Sequence, residues 1–202
     1  MLPAAANFSP AGVDAGIRRF TDRLGKPAII YLRSEAYISP AGIARLVEDK
    51  RIMAVKYAIT RADPREDAYL SELVERIDRN IVISGMGERP AVAHLADFRL
   101  PSFTSGAVCI APRLSGALLA ALNRGDRATA ERLQAAFLPL EDYRDAHNPV
   151  RVLHEAVTLS GIADMGPVLP LMSNLEPAHH DKLRDIARML LALNDRPLTE
   201  SA

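Results

Sequence analysis

The sequence predicts an α/β protein with a parallel sheet, and three observations support this class. Four short apolar runs recur along the first part of the 202-residue chain, and the segments between them have helical patterns. The runs are continuous rather than alternating, which is typical of parallel strands covered by helices on both faces. After the fourth run only helical patterns remain. Two architectures fit this order: an open doubly wound sheet, or part of a (β/α)8 barrel, which typically takes about 250 residues.

The first helix and the first strand have clear local signals. Val13, Ile17, Phe20 and Leu24 recur at helical spacing, and Gly25 ends the helix. The stretch "KPAIIYLR" that follows is short and apolar, so it predicts a buried strand.

The second and third units repeat the pattern. Ser39 is the predicted N-cap of a helix in "SPAGIARLVEDK", with Pro40 at its first position. "RIMAVKYAI" is the second strand, and "DPREDAYLSELVERID" is a helix with Leu70 and Leu73 on its apolar face. "NIVISG" is the third strand.

The fourth unit and the tail complete the chain. "ERPAVAHLADF" predicts a short helix, and "SGAVCIAP" predicts a fourth strand. The later segments are helical, interrupted by the Gly- and Pro-containing loop "GIADMGPVLPLMSNL". Adjacent His179 and His180 face different ways on a helix and have no accompanying carboxylate pattern, so no metal site is predicted there.

Composition excludes several classes of function. The 25 basic and 25 acidic residues balance, which argues against a nucleic-acid-binding protein. Cys109 is the only cysteine, which excludes an intrachain disulfide and fits a reducing compartment. No apolar run approaches the roughly 18 residues of a membrane span, and the first residues lack a signal-peptide pattern. We therefore expect a cytoplasmic protein without a membrane partner.

Lys56, in the second strand, is the most informative residue of the chain. Only four of the 25 basic residues are lysines, so a lysine within an apolar strand is notable. Strand alternation places Lys56 on one face with Ala54 and Ala58, with bulkier Met53, Val55 and Tyr57 on the other. One interpretation is that Lys56 reaches towards solvent from the strand end. The other is an amine in apolar surroundings, available to form an imine with a carbonyl substrate.

Tyr31, in the first strand, has two interpretations of the same kind. It shares a face with Ile29 and Arg33, and by itself it reads as an ordinary strand aromatic. If the first two strands are neighbours, Tyr31 and Lys56 can face the same pocket. A phenol beside an imine can move a proton to and from the substrate.

These residues resemble a known family. "KPAIIYLRSEAYISPAGIARLVEDKRIMAVKYAI" is similar to the segment of the dihydrodipicolinate synthase / N-acetylneuraminate lyase family between barrel strands five and six. Tyr31 matches the family tyrosine, Ser39 and Pro40 match the helix start, and Lys56 matches the Schiff-base lysine. "NIVISGMGER" stands at the place of the seventh strand and its turn, and the likeness extends over residues 13 to 175.

The resemblance implies a partial (β/α)8 barrel, strands five to eight, with a C-terminal helical extension. The implied organisation is a loose segment at residues 1–12, a half barrel at 13–125 and the extension at 126–202. The implied reaction is that of a class I lyase or aldolase on pyruvate or a related 2-oxo or sugar acid. Lys56 would form the imine and Tyr31 would relay protons. No metal or organic cofactor is expected.

The substrate carboxylate needs a partner, and the sequence leaves this open. The family's carboxylate-binding arginine has no match, because Ala36 stands near its place, and Arg33 on the Tyr31 face is the substitute that we predict. The turn "GMGERP" offers Gly85, Glu88 and its backbone amides, although it also reads as a simple tight turn.

Two alternatives to an active enzyme remain at this stage. The threonine pair on the family's earlier strands has no counterpart in this sequence. This favours either pairing of half barrels in a homo-oligomer or a non-catalytic remnant that serves as an oligomer or ligand-binding module, since open sheet edges are a liability in isolation. An open-sheet binding module would instead have no common pocket for Tyr31 and Lys56.

Overall fold

A computed structural model describes residues 8–196 of the chain. The described residues form two compact units, one from residues 8–86 and 90–104, and one from residues 87–89 and 105–196. The helix Pro112–Asn123, which precedes the predicted division at residue 125, falls in the second unit. No described helix has the length and apolar character needed to cross a membrane.

The first unit alternates helices and strands. Its elements are α1 (Pro10–Leu24), β1 (Ala28–Leu32), α2 (Pro40–Glu48), β2 (Ile52–Tyr57), α3 (Ala68–Arg76) and β3 (Val82–Ser84). A short π-helix, Ala93–Asp97, lies within the predicted helix "ERPAVAHLADF". The three strands form one parallel sheet in the order β1-β2-β3, so the predicted parallel α/β pattern is confirmed for these elements.

Local sequence explains where these helices begin and end. The Ser9 side chain caps α1 and Gly25, with φ of 68°, ends it. The Ser39 side chain accepts a hydrogen bond of 3.1 Å from the Gly42 amide at the start of α2, as predicted. Asp67 caps α3 through the Leu70 amide at 2.9 Å.

The register of β1 and β2 contains an irregularity that corrects one predicted face. Ala28 pairs with Ile52, but Ile29 pairs with Ala54, so Met53 is the extra residue of a bulge. Met53 is 57% exposed, whereas Val55 and Tyr57 are fully buried. Simple alternation was therefore wrong for Met53, because the bulge shifts the parity of the strand at its beginning.

The predicted fourth strand is wrong. "SGAVCIAP" contains a 3-10 helix, Ala107–Cys109, in the second unit. Ala107, Ile110 and Ala111 are buried while Val108 and Cys109 are exposed, which is helical rather than strand-like spacing. A short apolar run does not by itself distinguish a strand from a helical turn, and here helices cover it.

Extended backbone beside β3 occurs a few residues earlier. Ser84 forms an isolated parallel bridge with Phe103, and the Thr104 amide donates to the Ser84 carbonyl at 2.8 Å. Thr104 therefore lies at the end of this extended stretch. The predicted fourth strand instead began just after it, at Ser105.

The second unit is helical. Its helices are α4 (Pro112–Asn123), α5 (Arg127–Ala135), α6 (Leu138–Ala146), α7 (Pro149–Ser160) and α8 (His180–Asp195). One apolar cluster fills its interior, and its most buried large side chains are Phe137, Leu140, Val152, Leu183 and Leu190. The predicted helical tail is confirmed in this part of the chain. The loop of residues 161–175 connects α7 and α8.

Candidate active site

Lys56 and Tyr31 lie side by side on one face of the sheet. The register pairs Tyr31 of β1 directly with Lys56 of β2, and directly paired residues of adjacent strands project to the same face. The Lys56 Nζ lies over the Tyr31 ring, 4.9 Å from its centroid. Both side chains are half-buried. The ammonium or amine group therefore lies at the aromatic face rather than extended into bulk solvent.

Ile83 extends this row across the third strand. It pairs with Lys56 in the β2–β3 register and is half-buried. Tyr31, Lys56 and Ile83 thus form one line across the sheet. The sequence interpretation did not single out Ile83, although the position of "NIVISG" after the lysine strand was a signal for it.

Gly85 provides the space that the Lys56 stem occupies. A β-carbon on Gly85 would lie 2.8 Å from Lys56 Cγ and 3.1 Å from Lys56 Cε. It would also lie 2.9 Å from the Tyr57 carbonyl oxygen, which accepts a hydrogen bond of 2.6 Å from the Gly85 amide. The backbone after β3 therefore passes directly against the lysine side chain. The structure brings Gly85, predicted as a substrate ligand, next to Lys56.

A buried polar network lies behind Lys56, on the opposite face of β2. The Tyr57 hydroxyl donates to Asp67, which also accepts hydrogen bonds from Arg61 at 2.8 Å and from the Leu70 amide. Burial alone would raise the pKa of Asp67, but these hydrogen bonds outweigh it and leave the pKa below its ordinary value. Burial, and then Asp67, raise the pKa of Tyr57, so its phenol stays a donor.

A second buried pair lies in the same layer. The Ser84 hydroxyl is 2.8 Å from His94 Nδ1, and the His94 ring contacts the Tyr57 ring edge-on at 5.8 Å between centroids. Burial lowers the pKa of His94 to about 4, so the ring is neutral near pH 7. The two networks fix the ends of β2 and β3, which carry Lys56 and lead into Gly85. Sequence interpretation missed them because long-range pairings have no local pattern.

Arg33 and Glu88 have different surroundings from the Lys56 row. Arg33 follows the last residue of β1 and is exposed. Glu88 belongs to the second unit, is fully buried, and accepts a hydrogen bond of 2.8 Å from the Ser115 hydroxyl. Within the first unit the structure therefore brings together Tyr31, Lys56 and Gly85, whereas Glu88 belongs to the other unit.

The amides of the predicted anion-binding turn hold a carboxylate of the protein itself. Glu141 accepts hydrogen bonds from the Glu88 amide at 3.0 Å and from the Arg89 amide at 2.7 Å. Gly87 has a φ of 84°, and any side chain there would collide with Glu141. A substrate would have to displace Glu141 to use these two donors, so the cradle predicted at this turn is already filled.

Burial and neighbouring charges together shift the pKa of Glu141. Burial is the largest effect and raises its pKa to about 7, with Arg144 opposing and Glu88 adding to the shift. Arg144 Nη1 lies 3.4 Å from Glu141 Oε1.

Among the described residues no group of three or more His, Cys, Asp or Glu side chains has an arrangement that could hold a metal ion.

Comparison with known proteins identifies the family. The sequence profile of the Dihydrodipicolinate synthetase family matches residues 6–190, which is most of the chain. The chain belongs to this family. The match begins earlier and ends later than the resemblance over residues 13 to 175 had indicated. Comparison with curated protein sequences gives no significant match.

Solved structures of this family share the fold. Dihydrodipicolinate synthase from Oceanobacillus iheyensis is 24% identical with a TM-score of 0.79, and the aligned region covers 96% of this chain and 63% of that one. The Aquifex aeolicus enzyme is 20% identical with a TM-score of 0.77, covering 92% and 62%. A putative dihydrodipicolinate synthetase from Pseudomonas aeruginosa is 21% identical with a TM-score of 0.73, covering 93% and 63%.

The chain spans somewhat less than two thirds of the length of these structures. The restriction of the resemblance to a C-terminal half is not borne out, because the aligned share is larger than half. Family membership implies the (β/α)8 barrel fold. The described residues form a three-stranded parallel sheet with helices.

Proposed function

We propose that this protein forms a Schiff base with pyruvate or a related 2-oxo or sugar acid and acts as a lyase or aldolase. The observation that carries the proposal is the Lys56 amine over the Tyr31 ring, 4.9 Å from its centroid, in directly paired positions of β1 and β2. Membership of the family supports the proposal. The sequence resemblance matched the same two residues to the family's catalytic tyrosine and Schiff-base lysine.

The proposed chemistry uses the protein's own groups. The Lys56 amine attacks the carbonyl carbon of the 2-oxo acid, and loss of one water gives the imine. The protonated imine accepts the electron pair when a bond to the adjacent carbon breaks, and returns it when such a bond forms. Tyr31 donates a proton to the hydroxyl that the attack has formed, so that it leaves as water, and then takes a proton back from the substrate. Arg33, at the end of β1, holds the carboxylate in this proposal.

The proposal extends to the barrel. We place β1, β2 and β3 as strands five to seven, with the bridge at Phe103 in the position of strand eight. Barrel enzymes carry their chemistry at the carboxyl ends of the strands, where Tyr31, Lys56 and Gly85 lie. A homo-oligomer is part of this proposal.

One observation favours the non-catalytic alternative. Ile29, on the same face as Tyr31 and Lys56, is 58% exposed, so the described residues leave part of this face uncovered. A module that retains the fold and binds a ligand or another chain, without turnover, would show the same face.

Borohydride trapping separates the two functions. Pyruvate and borohydride should add to the protein the mass of one pyruvate, less one water and plus two hydrogens, as read by intact mass spectrometry. Lys56→Ala should abolish the adduct, and Lys26→Ala, which removes an exposed lysine, should retain it. Tyr31→Phe should slow trapping without abolishing it. No adduct with pyruvate or longer 2-oxo acids, or an adduct that persists in Lys56→Ala, would refute the imine.

A further inference from the structure

Two side chains of the second unit hold the turn of residues 87–89. Glu141 of α6 accepts a hydrogen bond from the Glu88 amide on one carboxylate oxygen and from the Arg89 amide on the other. Gln134 of α5 donates to the carbonyl oxygens of the same two residues, at 2.9 and 2.5 Å. The turn is therefore bonded to one neutral side chain and to one whose charge depends on pH.

The two bonds to Glu141 depend on the charge of its carboxylate. An ionised carboxylate accepts at both oxygens, whereas a protonated one has a hydroxyl that donates and is only a weak acceptor for one of the two amides. Glu141 is fully buried, and a buried charge is costly. A neutral glutamine would satisfy one amide without that cost, so folding alone does not explain a carboxylate at this position.

The charged groups that face Glu141 come from its own helix and from the turn. Arg144 Nη1 of α6 lies 3.4 Å from it, and the fully buried Glu88 of the turn is a like charge. The side chains that α4 and α5 direct to the turn are neutral. The described side chains of α7 and α8, which also pack against α6, form no ion pair or hydrogen bond with Glu141. The Arg89 guanidinium pairs with two exposed carboxylates of α6, those of Asp142 and Asp145.

The Gly85 backbone that contacts Lys56 leads directly into this turn. Two residues along the chain separate Gly85 from Glu88. The Gly85 amide donates to the Tyr57 carbonyl at 2.6 Å, and no side chain fits between Gly85 and the Lys56 stem. The backbone of this short segment is therefore fixed at both ends, at Gly85 by β2 and at Glu88 by the Glu141 carboxylate.

We propose that Glu141 is a positioning residue for Lys56 that acts through this turn: its ionised carboxylate binds both amides and keeps the Gly85 backbone against the lysine stem, and protonation loosens the turn. The inference rests on the proposed function, because it gives Glu141 a role in imine formation. Burial raises the pKa of Glu141 to about 7, so the change falls near neutral pH. The turn therefore tightens as pH rises through 7, and imine formation becomes faster.

The pH dependence of borohydride trapping tests the effect on Lys56. Glu141→Gln keeps the shape of the side chain and offers one acceptor oxygen at every pH, so it should behave as the protonated wild type. The two proteins should trap pyruvate equally fast near pH 6 and differ on the order of tenfold near pH 8.5, because small displacements of a reacting group slow a reaction steeply. Any direct effect of pH on pyruvate or on the amine acts on both proteins, so the ratio of their rates isolates Glu141.

A matched control removes a different carboxylate of the second unit. Glu131 is exposed on α5 and pairs with Arg127, so Glu131→Gln should follow the wild-type profile. A ratio of wild-type to Glu141→Gln rates that is constant over this pH range would overturn the proposal, and so would the same profile in Glu131→Gln as in Glu141→Gln.

Amide NMR tests the link to Gly85 without any substrate. In the wild type the amide signals of Gly85, Glu88 and Arg89 should shift together with one midpoint near pH 7, and in Glu141→Gln they should not shift in this range. A Gly85 signal that stays constant while the other two shift would overturn the inference, because the turn would then not act on the lysine strand. Absence of any pyruvate adduct from the wild type would refute the imine instead, and the amide signals distinguish the two failures.

Discussion

At the scale of single residues, the feature that defines the candidate site is the close approach of backbone to the Lys56 stem. Gly85 permits this approach because it lacks a β-carbon, and its amide ties the backbone to the Tyr57 carbonyl at 2.6 Å. The direction of the lysine side chain therefore depends on a residue that makes no side-chain contact of its own.

Gly85→Ala should displace Lys56. The new β-carbon would lie within 3.1 Å of two Lys56 carbons and 2.9 Å from the Tyr57 oxygen, so either the side chain or the strand must move. We expect at least a tenfold slower formation of the borohydride-trapped adduct, about 1.4 kcal/mol in activation free energy. The measurement is the time course of adduct formation at fixed pyruvate.

A matched control tests the opposite effect of the same substitution. Gly116 lies in α4, and apart from the backbone of its own helix a β-carbon there would meet nothing within 4 Å. Gly116→Ala should leave adduct formation unchanged and stabilise the helix by roughly 0.5–1 kcal/mol. Equal rates for Gly85→Ala and wild type would show that the lysine does not need this space.

At the scale of elements, some features were readable from sequence and others were not. The Ser39 cap and Pro40 start of α2 follow from residue preference alone, and they are confirmed. The sequence predicted that Tyr31 and Lys56 could face one pocket if the first two strands were neighbours, and the structure pairs the two residues directly in β1 and β2. Met53 was assigned to the wrong face because a bulge is a property of two strands together, and one strand's sequence does not reveal it.

The prediction of a fourth strand was wrong for a related reason. Ala107 and Ile110 are apolar in either interpretation, and the helices packed around them decide between the two. Glu88 was likewise unpredictable as a buried side chain, because its partner Ser115 and the Glu141 carboxylate on its amide come from helices far along the chain.

Removal of the α2 cap tests an element that was predicted correctly. Ser39→Ala leaves the Gly42 amide without its side-chain acceptor and should lower the free energy of unfolding by about 1 kcal/mol. Ser39→Asp should retain most of the stability. Urea denaturation with a linear extrapolation provides the values. If both variants unfold at the same midpoint as the wild type, the cap contributes nothing measurable.

At the scale of the whole molecule, two buried titratable groups give opposite dependences of stability on pH. The pKa of His94 falls from 6.5 to about 4 on burial, so the unfolded chain binds its proton first and stability falls as pH drops from about 6.5 to 4. The pKa of Glu141 rises from 4.5 to about 7, so its contribution is present below pH 4.5 and is lost as pH rises through 7.

Single substitutions should reveal the two slopes. In the shared range between pH 4.5 and 6.5 the effects oppose each other. In His94→Gln only the Glu141 effect remains, so the free energy of unfolding should decrease as pH rises. In Glu141→Gln only the His94 effect remains, so the free energy of unfolding should increase as pH rises. The His94 contribution is on the order of 3 kcal/mol over its range. Chemical denaturation at half-unit pH steps provides the slopes. His147→Gln, at an exposed histidine, should follow the wild-type curve, and identical slopes for all four proteins would contradict the assignment.

The sheet order β1-β2-β3 has a consequence for handling the protein. Among the described residues β1 has one strand neighbour, so the amide and carbonyl groups along its other side are open to pairing. An extended peptide could add there as a further strand, and so could the same edge of another molecule. Fibril-type association through β1 is therefore the form of precipitation that we expect on concentration, and a charged residue at Ile29, which is exposed, should suppress it.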